Sequence, residues 1–172
     1  TEQISADVLL LTCPLDECSS FMELSQTEQE LFSKIKHVDY RTYLCALENF
    51  PQQTGFIPAN FMPAQKGHPV FWYKRYADTN IYTVYVLSDF SVSDQIIHQN
   101  LIDTVEKLGG RLVSIEKSVK WKYFPHVDTT EMQNGYYPKL EALQGVQNTY
   151  YAGELLNFSM VELTAAYAKD LV

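Results

Sequence analysis

The sequence is short of several features that would each define a class of protein. It has three cysteines in 172 residues, Cys13, Cys18 and Cys45, which are too few and too irregularly spaced for a disulfide framework. Reduced thiols are therefore expected, although Cys13 and Cys18 could pair. The longest apolar run, Val8–Leu11, is far shorter than the ~20 residues of a membrane span. No cluster of Lys and Arg offsets the net charge of −8, which argues against a nucleic-acid partner.

The sequence also lacks recognisable signals for dinucleotide binding, metal binding and targeting. None of the seven glycines forms a GxGxxG pattern, so a dinucleotide-binding βαβ unit is absent. No metal site and no Ser–His–Asp triad is expected, because the four histidines lack metal-ligand spacing with cysteines or carboxylates. There is no signal peptide, and the chain starts at Thr1 without Met. A fragment of a longer, cytoplasmic protein is the resulting expectation.

The composition indicates a globular domain with an unusual number of rings. Hydrophobic residues make up 46% of the chain, charged residues 20% and aromatic residues 13%, with twelve tyrosines. The length is enough for one domain or one and a half. An acidic, aromatic-rich domain suits an apolar or cationic small ligand.

The middle of the chain predicts an antiparallel sheet backed by helices. The clearest signals are a hairpin, Val70–Tyr76 and Ile81–Asp89 around residues 77–80, and a helix capped by Ser91 or Ser93 that ends at Leu108. Further strands are predicted at Tyr40–Phe50 and Arg111–Phe124, the latter ended by Pro125, with a long loop at Pro51–Pro69. A capping box, Ser25 to Glu28, opens a helix that ends near His37.

The two ends have a different pattern. Residues 6–12 are a continuous apolar run, typical of a strand buried on both faces, and Asn148–Ala152 predicts another short strand. Residues 126–147 are expected to be mostly loop, with a turn of helix at Lys139–Leu143, and Phe158–Leu171 is expected to be a helix. The predicted fold class is α+β with α/β-like ends, divided into segments 1–20, 21–125 and 126–172.

The segment Asn148-Thr-Tyr-Tyr-Ala-Gly-Glu154, followed by the last helix, carries the sharpest functional signal. A small pair, Ala152-Gly153, lets the backbone approach a ligand closely. Glu154 then stands at the carboxyl end of a strand, where it can accept hydrogen bonds from sugar or ribityl hydroxyls. The helix that follows, capped by Asn157 or Ser159, presents N–H groups and the positive end of its dipole. An ordinary strand–loop–helix is the alternative.

These residues resemble the terminal FAD motif of flavin-containing amine oxidoreductases: two aromatics, Ala-Gly, an acid, a short loop and a helix with an early Glu. The resemblance implies that Gly153 and Glu154 contact the ribityl or phosphate region of FAD. It also implies that Met160 and Val161 lie against the pyrimidine end of the flavin. Residues 6–15 resemble the segment in which this family leaves its FAD domain for its substrate domain.

The chain departs from the family in two respects. The family's GxGxxG unit is amino-terminal, so its absence fits a fragment, and this chain alone is not expected to hold FAD. Many amine oxidases also place a Lys near the flavin, and the matching stretch, Val38–Tyr43, has none. The sequence therefore predicts flavin chemistry but does not predict that the substrate is an amine.

Aromatic residues provide candidates for substrate binding. The resemblance implies that Tyr150 faces the flavin and helps to cage the substrate, and Trp121 on the last strand of the sheet is a second candidate. Core packing is the alternative for both residues and for Phe71–Tyr73, because alternating rings on a strand usually fill a core.

The sequence thus predicts part of an FAD-dependent oxidoreductase that acts on C–N or C–C bonds of a small-molecule substrate. It would contribute the substrate pocket and the carboxyl-terminal flavin contacts, and an amino-terminal FAD-binding segment would be its partner. The alternative is a non-catalytic α+β module for ligand binding or protein interaction. Substrate, electron acceptor, catalytic residues and oligomeric state do not follow from the sequence.

Overall fold

A computed structural model describes residues 5–171. Its helices and strands, in chain order, are β1 (Leu9–Leu11), α1 (Gln26–Phe32), β2 (Lys36–Glu48), β3 (Gly55–Phe56), β4 (His68–Lys74), β5 (Ile81–Ser88), α2 (Asp94–Lys107), β6 (Arg111–His126), α3 (Thr129–Gln133), α4 (Tyr136–Glu141), β7 (Thr149–Tyr151), α5 (Glu154–Asn157) and α6 (Val161–Leu171).

The chain forms two compact units. Unit 1 combines the segment that ends at His37 with the segment that begins at Phe124, and unit 2 is Val38–Tyr123. The assignment of residues 1–20 and 126–172 to flavin binding and of residues 21–125 to substrate binding stays a prediction.

Unit 2 is built on a five-stranded sheet in the order β3-β4-β5-β2-β6. The predicted hairpin is confirmed: β4 and β5 pair antiparallel, with Trp72 opposite Val84, and β5 pairs antiparallel with β2. The α+β prediction with an antiparallel sheet and helices is confirmed as well.

One face of this sheet packs on α2. Ser93 caps this helix, because its side chain accepts a hydrogen bond from the N–H of Ile96. The helix residues Ile97, Leu101 and Val105 are all at most 1% exposed. They share a core with alternate residues of the strands: Tyr43, Cys45, Leu47, Trp72, Tyr82, Val84 and Val86.

Unit 1 has its own core and a two-stranded parallel sheet. β1 pairs with β7, so that Leu10 lies opposite Tyr150. The core of this unit comprises Leu11, Leu15, Cys18, Leu31, Phe32, Val127, Tyr136, Leu140, Leu143, Tyr151 and Leu155. The predicted capping box at the start of α1 is present, with Ser25 and Glu28 each accepting from the other's backbone N–H.

The prediction that residues 6–12 form a strand buried on both faces is wrong for the part of the chain that the structure describes. Leu11 is 7% exposed, but Leu9 and Leu10 are 45% and 39% exposed. The apolar run does form a strand, and within residues 5–171 its only partner strand is β7. A parallel pair is usually covered on both faces, so these side chains form an apolar surface that most parallel sheets bury.

Several predicted boundaries are also wrong. β6 does not end at Pro125 but continues to His126, which an edge strand allows because its outer N–H groups need no partner. β2 begins four residues earlier than predicted, α1 ends at Phe32 instead of near His37, and the loop at 51–69 contains β3. Residues 126–147, expected to be mostly loop, contain α3 and α4.

Candidate functional site

The turn after β7 holds the residues of the predicted flavin motif. Ala152 is 3% exposed, and its N–H donates to the carbonyl of Leu11, which fixes the end of the strand. Gly153 follows with φ 147° and ψ −173°, a conformation that residues with a side chain rarely adopt. A Cβ at this position would come no closer than 3.7 Å to the carbonyl oxygen of Thr12. The backbone conformation, and not lack of space, therefore requires glycine here.

Glu154 does not stand free at the end of a strand, because it is the first residue of α5. The helix is anchored on the turn, since the N–H groups of Leu156 and Asn157 donate to the carbonyl of Gly153. The Glu154 carboxylate accepts a hydrogen bond from the Ser159 hydroxyl. This bond spans the loop between α5 and α6 and holds the carboxylate in one orientation.

The last helix starts later than the sequence suggests. The Thr164 N–H donates to the carbonyl of Met160 at 3.0 Å. This carbonyl accepts the first hydrogen bond of the helix, so α6 begins at Val161. Neither predicted cap is used: Ser159 donates to Glu154, and the Asn157 side chain donates to the carbonyl of Leu163. Met160 and Val161 are 49% and 89% exposed. The start of the helix is thus open and bordered by apolar side chains.

Phe158 breaks the predicted helix and was not singled out from the sequence. Its φ of 61° and ψ of 159° are sparsely populated by residues other than glycine, at a cost of about 1–3 kcal/mol. Its ring packs edge-on against Phe124, which also has a positive φ, with centroids 5.6 Å apart. A sequence pattern gives no signal for such backbone conformations, because phenylalanine rarely adopts them.

The two tyrosines before Ala152 have different surroundings. Tyr151 is 1% exposed, packs edge-on against Phe32 at 5.6 Å, and donates its hydroxyl hydrogen to Glu28. Burial and this carboxylate raise the pKa of Tyr151. Tyr150 is half-buried and packs over the turn at Gly145, where a Cβ would lie 3.2 Å from the tyrosine hydroxyl. Of the two rings, Tyr150 alone keeps an accessible surface, as a substrate contact would require.

Trp121 lies in unit 2 and does not fill a core. It is 50% exposed, and its indole N–H donates to the hydroxyl of Thr42 at 3.1 Å. Thr42 lies on the face of the sheet opposite α2, because its neighbours Arg41 and Tyr43 are buried on the helix side. We call this surface of unit 2 the open face.

Five more rings lie on the open face and are named here the aromatic platform. Tyr85 is at the centre, with ring centroids 5.6 Å from Tyr40, 5.6 Å from Phe71 and 6.1 Å from Tyr73. Tyr40 also contacts Tyr123 at 4.8 Å. Tyr40 and Tyr85 were missed in the sequence, although period-2 alternation together with the strand register places them on one face.

The phenols of the platform differ in acidity. Burial raises the pKa of Tyr85 to about 12, with a further contribution from Tyr73. Burial, Tyr85 and Tyr123 likewise raise the pKa of Tyr40. The pKa of Tyr73 is lowered, because Thr83, Tyr85 and Arg75 hydrogen-bond to its oxygen and outweigh its slight burial. The polar end of the platform is therefore at Tyr73.

The stretch that lacks the family's lysine forms a buried ion pair on the other face. Arg41 donates through Nε and Nη2 to Asp39, which is 0% exposed, and through Nη1 to Asp94 at the start of α2. Lys120 lies 3.8 Å from the same Asp39 carboxylate. These charges tie β2 to α2 and β6, and the open face receives Tyr40 and Thr42 from this stretch.

Among residues 5–171, no group of three His, Cys, Asp or Glu side chains is arranged to hold a metal ion. No helix in the described part of the chain has the length and hydropathy to cross a membrane. Cys13 and Cys18 are free thiols with sulfur atoms 3.8 Å apart.

Comparison with known proteins gives structural matches only. No family model and no curated protein matches the chain. The CLA-producing fatty acid isomerase from P. acnes matches 96% of the chain with a TM-score of 0.90 and 35% sequence identity. A protein from Exiguobacterium sp. 255-15, provisionally named a protoporphyrinogen oxidase, matches with a TM-score of 0.61 and 16% identity, and a redesigned putrescine oxidase with 0.62 and 12%. Each of these two matches also covers 96% of the chain.

The predicted resemblance to the flavin-containing amine oxidoreductases is confirmed, and the α+β fold of the chain, with its antiparallel sheet and helices, matches the substrate-domain fold of FAD-dependent oxidoreductases. The chain spans 41%, 40% and 42% of the lengths of these three structures. It thus spans about two fifths of the length of these structures, and the two structures below 25% identity support the fold alone.

Proposed function

We propose that this chain forms the substrate-binding region and the carboxyl-terminal flavin contacts of an FAD-dependent oxidoreductase. The observation that carries the proposal is the match to the P. acnes isomerase, at a TM-score of 0.90 and 35% identity over 96% of the chain. The turn at Ala152–Gly153 also supports the proposal, because its small residues allow the backbone to approach a flavin closely.

The residues present fit a flavin in three respects. Gly153 has a conformation that favours glycine and exposes its peptide, and Glu154 holds a carboxylate beside it. The first N–H groups of α6 have no partner within the helix, and the apolar side chains of Met160 and Val161 border them. FAD, when bound, would supply the hydride-accepting chemistry. The chain's own residues would bind the ribityl hydroxyls at Glu154 and the pyrimidine edge at the start of α6.

The open face of unit 2 is the proposed substrate surface. Half-buried rings offer apolar contact and exclude water from a bound chain, and Trp121 extends the surface through its bond to Thr42. The neighbour with 35% identity is a fatty acid isomerase, whereas the putrescine oxidase shares 12%. The higher identity favours chemistry on a C–C bond of an acyl chain over oxidation of an amine. Tyr150 is proposed as a second substrate contact.

Glu154→Ala in the full-length, FAD-loaded protein tests the flavin contact, since this chain alone is not expected to hold FAD. A hydrogen bond to a charged group is worth about 1.5–3 kcal/mol. Its loss should weaken FAD binding by about tenfold to a hundredfold, at ~1.4 kcal/mol per decade. Flavin release measured by fluorescence gives the affinity, and the melting temperature of the apo form should stay within a few degrees.

Glu106→Ala is the matched control, because Glu106 is an exposed glutamate on α2 in the other unit. It should leave the FAD affinity unchanged. Unchanged flavin retention in the Glu154 variant would contradict the assignment of Glu154, and a parent protein without any FAD would contradict the proposed function as a whole.

A further inference from the structure

Arg75 stands at the polar end of the aromatic platform and has an unusual set of partners. Its guanidinium carbon lies 5.7 Å from the centre of the Tyr73 ring, and Nη1 donates to the Tyr73 hydroxyl. The pKa of Arg75 is raised by Tyr73 and Tyr76, so phenols are the groups around this cation. The guanidinium is exposed and holds five N–H donors in a planar fork.

The other two arginines of the chain are ion-paired. Arg41 pairs with Asp39 and Asp94, and Arg111 pairs with Glu48 at 2.5 Å. Within residues 5–171, Arg75 has no carboxylate partner. A planar fork that is open on its outer side matches a carboxylate, which it can bind through two parallel hydrogen bonds.

No carboxylate lies among the side chains that form the open face between Arg75 and Tyr40. The strand register places alternate residues on this face, namely Tyr40, Thr42, Leu44 and Ala46 from β2, Ile81, Thr83, Tyr85 and Leu87 from β5, and Phe71 and Tyr73 from β4. Glu48, the next residue of β2 in this alternation, is neutralised by Arg111. Between Arg75 and Tyr40, an ammonium group lying on β4, β5 and β2 would therefore meet the charge of Arg75 and no unpaired carboxylate.

From these observations we propose that the platform binds the hydrocarbon chain of a long-chain carboxylic acid and that Arg75 binds its carboxylate. The proposal rests on the proposed function, since it names the substrate class of the same face. The carboxylate lies at the hairpin end of the sheet, beside Tyr73. The chain runs across the rings of Tyr85 and Tyr40 towards Tyr123.

The dimensions agree with an extended acyl chain. The distance from Tyr73 to Tyr40 can be counted along β2. The Thr83 hydroxyl contacts the Tyr73 phenol, and Thr83 pairs with Leu44. Tyr40 lies four residues before Leu44 on the same strand. At ~3.4 Å per residue these four steps cover roughly 14 Å, and Arg75 lies two residues beyond Tyr73. Cation–π attraction between a ring and an ammonium is about 0.5–1 kcal/mol at exposed sites, and the guanidinium of Arg75 opposes it by repelling an ammonium while it attracts a carboxylate.

Three probes of one chain length test the proposal: oleate, oleyl alcohol and oleylamine, each below its micelle concentration. Binding to the FAD-loaded protein is measured by calorimetry and by quenching of tryptophan fluorescence. We expect oleate to bind about tenfold to a hundredfold more tightly than the alcohol, as a charge-assisted hydrogen bond allows. Oleylamine should bind more weakly than the alcohol.

Arg75→Gln should remove the preference for oleate and leave the affinity for oleyl alcohol unchanged. The matched control is Lys107→Gln, which removes a positive charge from an exposed residue of α2 in the same unit. It should leave all three affinities unchanged, because α2 packs on the face of the sheet opposite the platform. Phe71→Ala should weaken oleate and the alcohol alike, because it removes apolar contact only.

The outcomes separate this proposal from the proposed function. Equal binding of oleate and oleylamine, or an Arg75→Gln variant that keeps the preference for oleate, overturns the carboxylate site. If the protein retains FAD but binds no oleate, the inference fails and the proposed function stands. If it binds oleate through Arg75 but holds no FAD, the inference stands and the proposed function fails.

Discussion

Alternate residues of β2 and β5 serve two different environments. Those that point towards α2 are buried apolar side chains, both aliphatic and aromatic, together with one ion pair, Asp39–Arg41, that is almost completely removed from water. Those on the open face are mostly half-buried rings, threonines and aliphatic side chains, with no acid between Tyr40 and Ala46. A contiguous group of exposed apolar rings on a protein surface often marks a ligand-binding or interaction site. We infer that the helix side holds the unit together and that the open face serves a ligand.

The largest expected effect tests the helix side. Asp39→Ala leaves the Arg41 guanidinium buried without its bidentate partner, and removing one member of a buried pair destabilises a protein by about 3–5 kcal/mol. Arginine stays protonated in proteins, so the variant keeps a buried guanidinium whose remaining carboxylate partner is Asp94. The free energy of unfolding in urea measures the loss.

The double variant Asp39→Leu with Arg41→Met is the control, since replacing both charges by apolar groups is often neutral. It should recover most of the lost stability. If Asp39→Ala costs no more than an exposed substitution, the buried pair does not hold the helix side together.

A smaller effect is expected from the apolar core on the same face. Leu101 is 0% exposed on α2, and Leu101→Ala should cost about 2–5 kcal/mol because it leaves a cavity. Ile96→Ala, on the exposed side of the same helix at 53% exposure, should change the stability by less than about 0.5 kcal/mol.

Leu44→Ala extends this measurement to the open face. Leu44 is half-buried, so its loss should cost distinctly less than that of Leu101. Equal costs for Leu44 and Leu101 in urea unfolding would show that both faces contribute equally to stability, and the functional contrast between them would lose its physical basis.

The helix side was the easier face to predict. Its signals are local: the hairpin residues 77–80, Ser93 as a cap, and the stripe of Ile97, Leu101 and Val105 at helical spacing. The capping box at Ser25 was predictable for the same reason, because the two residues that form it are three positions apart.

The open face and the flavin turn depend on non-local geometry. The rings of Tyr40, Phe71 and Tyr85 meet only because three strands pair in one register, and a single sequence does not contain that register. The positive φ of Phe158 moved the start of α6 from Phe158 to Val161, and no residue type at this position indicates it. Glu154 was singled out correctly as a residue of this turn, but its bond to Ser159 follows only from the fold of the loop.

The smallest expected effect is a pH dependence at the turn that leads from β5 to α2. Asp89 accepts hydrogen bonds from Lys66 at 2.8 Å and from the Ser91 N–H at 3.0 Å, and these partners lower its pKa from 3.8 to about 2. A carboxyl with a lowered folded-state pKa adds stability above pH 3.8, and this is lost as the pH falls towards 2. Because the side chain is 37% exposed, solvent screening limits the contribution to less than about 1 kcal/mol.

Asp89→Asn should therefore lower the free energy of unfolding slightly at pH 7, and the difference from the parent protein should shrink as the pH falls to 2, where the aspartate is protonated in the unfolded state and about half protonated in the folded state. Added salt should reduce the difference at pH 7, because the pair with Lys66 is exposed. Asp78→Asn removes the same charge at the exposed hairpin turn and is the control for a change in net charge. If both variants show the same pH dependence, the effect comes from net charge and not from the contacts of Asp89. A difference as large at pH 2 as at pH 7 would instead assign the loss to the geometry of the turn, since only about half of the folded molecules then keep an ionised carboxylate to bind Lys66.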